Sequence, residues 1–172
     1  MMSENGKEVI YPLKLYAKLG KDKVTAYNGR QVLELYKSFI KEQGEAWFPT
    51  NVLILGIAKQ RKKELDKAIE EGQIVEVYFA IGRTYDDSNR IYGRARVLAI
   101  ETGEEVMASP EPFYIPKEWQ THQAKSWIKL GMFVDWKEVD ARVEDFIVVS
   151  SGKGLEQVIQ KSQVHFGYIV KK

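Results

Sequence analysis

Apolar and polar positions alternate in some stretches of the chain and recur at helical spacing in others, which divides it into elements. Residues 9–18 read as a first strand, with Ile10, Tyr11 and Tyr16 toward its edges and Pro12 placing it at the edge of a sheet. After a charged loop at 19–25, Asn28 precedes Val32, Leu35, Tyr36, Phe39 and Ile40 at helical spacing. A helix is therefore expected from an Asn28 cap to a glycine cap at Gly44. Trp47 and Phe48, followed by Pro49, Thr50 and Asn51, read as a loop. From Val52 onward, Ile54, Ile57, Ala58, Arg61, Leu65, Ala68 and Ile69 give an amphipathic helix in its latter part, closed by Gly72. Its first residues, 52–55, are open to a short buried strand instead.

The middle of the chain changes to β periodicity. Residues 74–83 place Val75, Val77, Phe79 and Ile81 on one face, and 90–101 alternate about Tyr92, Arg94, Arg96 and Leu98, with a hairpin loop at 85–89. The connection at 101–125 carries Pro110, Pro112 and Pro116, with Phe113 and Tyr114 near its tip; a connection this long in a compact domain is more often functional than idle. Further strands are expected at 128–134, 146–149 and 164–170, with a short helix that turns Leu155, Val158 and Ile159 inward. Gly152, Lys153 and Gly154 before that helix lack the full phosphate-loop pattern, so capping is their expected role. The fold class is mixed α/β (α+β), about six strands flanked by helices, in one domain over 1–172 behind a polar, flexible lead at 1–8.

With 44% apolar and 29% charged residues in 172, the composition is that of a globular protein, and no apolar run reaches the length of a bilayer span. The polar N-terminus lacks the apolar core of a signal peptide, so a cytoplasmic location without a membrane partner is expected. The absence of cysteine removes thiolate nucleophiles and cysteine-bound zinc, and His122 and His165 have no partners at metal-ligand spacing; no metal or cofactor is expected. The net charge of +2 is locally segregated, into Lys59, Arg61, Lys62 and Lys63 and into Arg83, Arg90, Arg94 and Arg96. Three of the four tryptophans, Trp119, Trp127 and Trp136, fall in one stretch interleaved with Lys125 and Lys129. Flat apolar faces beside positive charge suit unstacked nucleobases and their phosphates, the bland alternative being a packed core. Arg61, Lys62, Arg83, Arg94, Arg96, Lys125 and Lys129 are the candidate phosphate contacts. No spacing demands catalysis.

Trp47, Phe48, Pro49 and Thr50 after a strand and a helix, the basic run from Arg61 to Leu65, the strand through Gly93, Arg94 and Ala95, then Trp119 and the segment with Leu130, Gly131, Phe133 and Trp136 together resemble a YTH domain. That family and the related EVE domains are small PUA-like open β-barrels. The resemblance implies a non-catalytic reader that accepts an extruded 6-methyladenine in an aromatic cage. Trp47 would be one wall, Trp119 the other with Trp127 competing for that place, and Leu130 the floor, with Asn28, Thr50 and Asn51 at the polar edge of the base. Similarity to the reader domain of archaeal McrB-type restriction proteins, together with a lysine- and glutamate-rich composition compatible with a thermophile, implies DNA rather than RNA as partner. It also implies a GTPase motor and a nuclease in the full system. The alternatives are an RNA-binding PUA-like protein, an ASCH-like hydrolase using Glu118, Thr121 and Lys129, and an oligomerisation module.

Overall fold

The computed structural model describes residues 8–20, 22, 25–50, 57–81, 90–135, 139, 141–160 and 166–172. They form a mixed α+β fold of three helices and one seven-stranded sheet: β1 (Lys14–Leu19), α1 (Gly29–Gln43), β2 (Glu45–Pro49), α2 (Lys59–Glu70), β3 (Val75–Ile81), β4 (Ile91–Ala108), β5 (Gln123–Asp135), β6 (Phe146–Val148), α3 (Leu155–Val158) and β7 (Phe166–Lys171). The strand order is β2-β5-β4-β3-β1-β7-β6, with β1 and β3 parallel and the other neighbours antiparallel. β2 and β6 are the two ends of this order, so the sheet is open.

Local chemistry explains α1. The Asn28 side chain accepts the Gln31 N–H at 2.9 Å and the Gln31 side chain accepts the Asn28 N–H at 2.9 Å, a reciprocal capping box that satisfies two donors left over at the helix start. At the other end Gly44 takes φ 88°, a left-handed cap that glycine adopts without steric cost. Val32, Leu33, Tyr36 and Ile40 form the buried stripe. Gly29 lets the first turn approach β1: a Cβ there would stand 2.8 Å from the Leu19 carbonyl oxygen.

Alternation on the strands separates two cores. Leu15, Ala17 and Leu19 of β1 and Val75, Val77, Phe79 and Ile81 of β3 pack with α1 and with Leu65 and Ala68 of α2. Tyr16, Tyr78 and Ala80 face the opposite way, against Val143, Phe146, Leu155, Val158 and Ile159.

Three expectations change. The first strand begins at Lys14, beyond Pro12, and lies inside the sheet between β3 and β7 rather than at its edge. Residues 47–49 are not a loop but the inner part of the edge strand β2, whose Pro49 is tolerated because it closes an edge strand. The sheet thereby has seven strands rather than about six. The long connection is also shorter than expected, because β4 continues to Ala108 and pairs Met107 and Ala108 with Ala124 and Gln123 of β5. What remains is 109–122, carrying two 3-10 turns, Pro112–Tyr114 and Lys117–Trp119.

Candidate functional site

Where β1 ends, the chain turns at Gly20 and Asp22 before entering α1, and this corner meets the edge strand β2 and the second 3-10 turn. The resulting cleft is lined by Leu19, Gly20, Asp22, Val32, Tyr36, Phe48, Pro49, Trp119 and His122. Tyr36 reaches it from the buried stripe of α1, and its hydroxyl donates to the Trp47 carbonyl at 2.8 Å, tying the helix to β2. Phe48 meets the Tyr36 ring edge-on, with centroids 5.1 Å apart. Trp119 also packs on Tyr36, stacked at 5.4 Å and 27°. Its indole N–H donates to Asp22 at 3.1 Å, and the same carboxylate oxygen accepts the Thr25 N–H at 2.8 Å and the Thr25 hydroxyl at 2.6 Å. One acidic side chain therefore holds the β1–α1 corner and the aromatic wall together. The cavity between these groups is about 30 Å³, room for a single water.

No family model and no curated protein matches the chain.

The rim is electrostatically mixed. Burial pushes the His122 imidazole below its ordinary range while Asp22 pulls the other way, and the ring stands edge-on to Trp127 at 6.2 Å. Burial, with the Asp22 and Glu118 carboxylates, pushes the Tyr36 hydroxyl well up, so it stays protonated and keeps its bond to β2. Among the described residues no group of three or more His, Asp or Glu side chains is placed to hold a metal ion. No described helix is long and apolar enough to cross a membrane.

The residues expected to form a cage are distributed differently. Trp47 and Phe48 are neighbours on a strand and face opposite ways, so Phe48 lines the cleft and Trp47 does not. The Trp47 indole N–H donates to Glu111 at 3.1 Å, and the Lys129 ammonium sits 5.7 Å from its ring centre. Trp127 is fully buried and donates to the Met107 carbonyl at 3.0 Å; Leu130 is a core residue paired with Ala46 and Val97. Of the base-edge candidates, Asn28 is committed to the α1 cap, and Thr50 donates to the Ser126 carbonyl at 3.3 Å. Asn51 and Arg83 lie outside the described residues.

The candidate phosphate contacts are mostly engaged with acids. Arg61 pairs with Glu64 at 3.0 Å and lies over the Tyr168 ring, and Lys62 pairs with Asp66 one helical turn on. Lys125 borders a hollow with Lys59 and Thr102 at the start of α2. Arg94 binds Glu76 at 3.2 Å and Arg96 lies 3.9 Å from Glu8. Arg94 and Arg96 stand opposite Tyr78 and Glu76 on the face turned away from α1. Ile81 at the cleft end lies five residue steps along β3 from Glu76, roughly 16 Å of strand. Lys129 is held between Glu45 at 2.9 Å and Glu111 at 2.7 Å. Burial works against its charge, and the bonds to the two carboxylates outweigh that and hold its pKa up; the same bonds, first from Lys129 and then from Trp47, pull Glu111 down.

Helical spacing marks Tyr36 only as part of the α1 stripe, and no periodicity marks Asp22, Phe48 or Glu111 as site residues. The one local signal was Asp22 followed by Thr25, a spacing at which a carboxylate closes a turn through backbone and hydroxyl donors.

Proposed function

We propose that the chain is a nucleic-acid reader that draws an extruded adenine, methylated at N6, between the rings of Tyr36 and Trp119. The observation that carries this reading is the stacked pair itself, flanked edge-on by Phe48 and rimmed by Asp22 and His122. Stacking on aromatic faces is worth about 1–3 kcal/mol per base, and burying the methyl group adds about 0.8 kcal/mol. At 5.4 Å the rings leave no slot. Two stacking layers of roughly 3.5 Å set the walls about 7 Å apart, so Trp119 moves outward on binding, and the Asp22 carboxylate it releases accepts the N6–H of the base.

The open seven-stranded sheet with α1 and α2 on one face is compatible with a PUA-like barrel, which we propose as its class. DNA as the polymer, and a GTPase motor with a nuclease as partners, come from the resemblance to McrB-type readers and are proposed on that ground. The test is a titration of single strands carrying one 6-methyladenine or one adenine, as DNA and as RNA, followed by tryptophan fluorescence. The methylated strand is expected to bind more tightly, and Trp119→Ala and Tyr36→Leu, each checked for cooperative melting, are expected to erase that preference. Equal binding of both strands by the parent, or an undiminished preference in both folded variants, overturns the reading.

A further inference from the structure

The sheet face turned away from α1 carries a second hollow, of about 180 Å³, where β3, β4 and β5 run beside the chain that leads into β1. The leading chain is pinned there: the Tyr11 N–H donates to the Ile74 carbonyl at 2.8 Å and the Ile74 N–H to the Val9 carbonyl at 2.8 Å. One wall is apolar, made of Ile10, Ile74, Met132 and Val134, and two of these are held out in water, Ile10 at 50% and Met132 at 69% exposure. Met132 owes its place to an extra residue in β5. Arg94 and Arg96, two steps apart, pair with Val134 and Gly131, three steps apart, and Met132 takes φ 49° in this bulge. That left-handed conformation is strained for a side chain of its size, and bulges of this kind re-aim side chains next to sites. The other wall is charged. Glu76 accepts from Lys14 at 3.1 Å, from Arg94 at 3.2 Å and from the Tyr78 hydroxyl at 3.3 Å. Arg96 has Glu8 as its one acidic partner among the described residues, at 3.9 Å, too far for a hydrogen bond. Three cations thus face two carboxylates, and the fork of Arg96 is the part of the cluster held most loosely.

We propose that this hollow binds a small monocarboxylate whose apolar body has about six carbons, since a cavity of roughly 150 Å³ holds benzene. The carboxylate takes the place of Glu8 on Arg96, whose planar fork matches it with two parallel N–H bonds. The body lies against Ile10, Ile74, Met132 and Val134. The surplus of one cation sets the charge of the ligand at one, and the Glu76 carboxylate in the same wall repels a dianion. A nucleic-acid backbone fits less well, because sugar and phosphate offer nothing apolar to the four side chains. The hollow is on the opposite face of the sheet from the cleft of Tyr36 and Trp119, so it stands apart from the base-reading function.

The experiment titrates the full chain, with isotope-labelled methionine methyl groups, with benzoate, benzyl alcohol, acetate and phenyl phosphate. It is read by NMR at the Met132 methyl, which Met132→Leu identifies. Benzoate is expected to shift that resonance saturably and to bind about tenfold more tightly than benzyl alcohol, which lacks the charge, or acetate, which lacks the body. Phenyl phosphate is expected to bind more weakly than benzoate. Arg96→Gln is expected to weaken benzoate about tenfold. Glu8→Gln is expected to tighten it about threefold, because the ligand then displaces no carboxylate. Benzyl alcohol or acetate binding as tightly as benzoate overturns the proposal, as does the absence of a saturable shift at Met132. Phenyl phosphate binding more tightly than benzoate overturns it in favour of a phosphate contact. Unchanged benzoate affinity in an Arg96→Gln protein that melts with the parent overturns it as well. If Arg96→Gln melts early, Glu8→Gln decides, and an affinity no tighter than the parent's overturns the site.

Discussion

Trp119 lies stacked on Tyr36, ring centroids 5.4 Å apart, and so fastens the end of the long connection to the middle of α1. The indole is 3% exposed, which makes it a packing element as well as a candidate wall. Trp119→Ala is expected to cost about 3–5 kcal/mol, the range for removing a large buried aromatic. Trp119→Phe keeps the stack and loses only the bond to Asp22, so it is expected to cost less. Urea denaturation of both variants measures this. A Trp119→Ala midpoint equal to the parent's at equal slope would show that the ring is not packed in the ground state.

His122 gives the cleft a pH dependence. Burial lowers its folded-state pKa below the ordinary value of 6.5, so the folded protein holds fewer protons than the unfolded chain between the two values. The contribution to stability is complete above about pH 6.5 and is lost as pH falls through the lower, folded pKa. The thermal midpoint of the parent is expected to drop on acidification in that window, and His122→Gln, which cannot take up the proton, is expected to show a shallower drop. Parallel curves for the two proteins would remove His122 as the cause.

Much of this arrangement is written locally and some of it is not. The α1 boundaries follow from the Asn28 box and the Gly44 cap, and the set of β3 residues that share the α1 side of the sheet follows from its alternation, because both are set by neighbours in sequence. β2 was hidden by Pro49, a residue that reads as a loop signal unless the strand is known to be an edge. That single difference moves the site: once Trp47 and Phe48 are in a strand, one of them must face away. Residues 101–106 carry three glutamates, and all but Thr102 and Gly103 are exposed, so nothing in their own pattern announces a strand; pairing with β5 extends it. The meeting of Tyr36 with Trp119 and of Asp22 with the same indole joins residues far apart in the chain, which periodicity does not record.

Lys14, Glu76 and Arg94 form a charge cluster on the face away from α1. Glu76 receives Lys14 at 3.1 Å and Arg94 at 3.2 Å, and Lys14 and Glu76 are almost fully buried. Removing the carboxylate strands the Lys14 ammonium, so Glu76→Ala is expected to destabilise by about 3–5 kcal/mol. Lys14→Met combined with Glu76→Leu replaces the pair with apolar volume and is expected to lie much closer to the parent. The double-variant comparison by denaturant unfolding decides; a double variant as unstable as Glu76→Ala would show that the loss is one of shape rather than of an unpaired charge.

Lys62 and Lys129 separate two roles that a positive residue can have at a nucleic-acid site. Lys62 on α2 is 26% exposed and paired with the single carboxylate of Asp66 among the described residues, whereas Lys129 is 16% exposed and bonded to both Glu45 and Glu111. A phosphate contact made by Lys62 releases about one counterion, so Lys62→Ala is expected to flatten the plot of log affinity against log salt by about 0.9, with methylated and plain strands affected alike and the melting temperature unchanged. Lys129→Met instead leaves two carboxylates without their shared partner. It is expected to lower stability and to loosen the turn that carries Phe113. Salt titrations and thermal melts on the two variants make the distinction. A Lys129→Met protein that melts with the parent and changes only the salt slope would transfer Lys129 from the scaffold to the phosphate contacts.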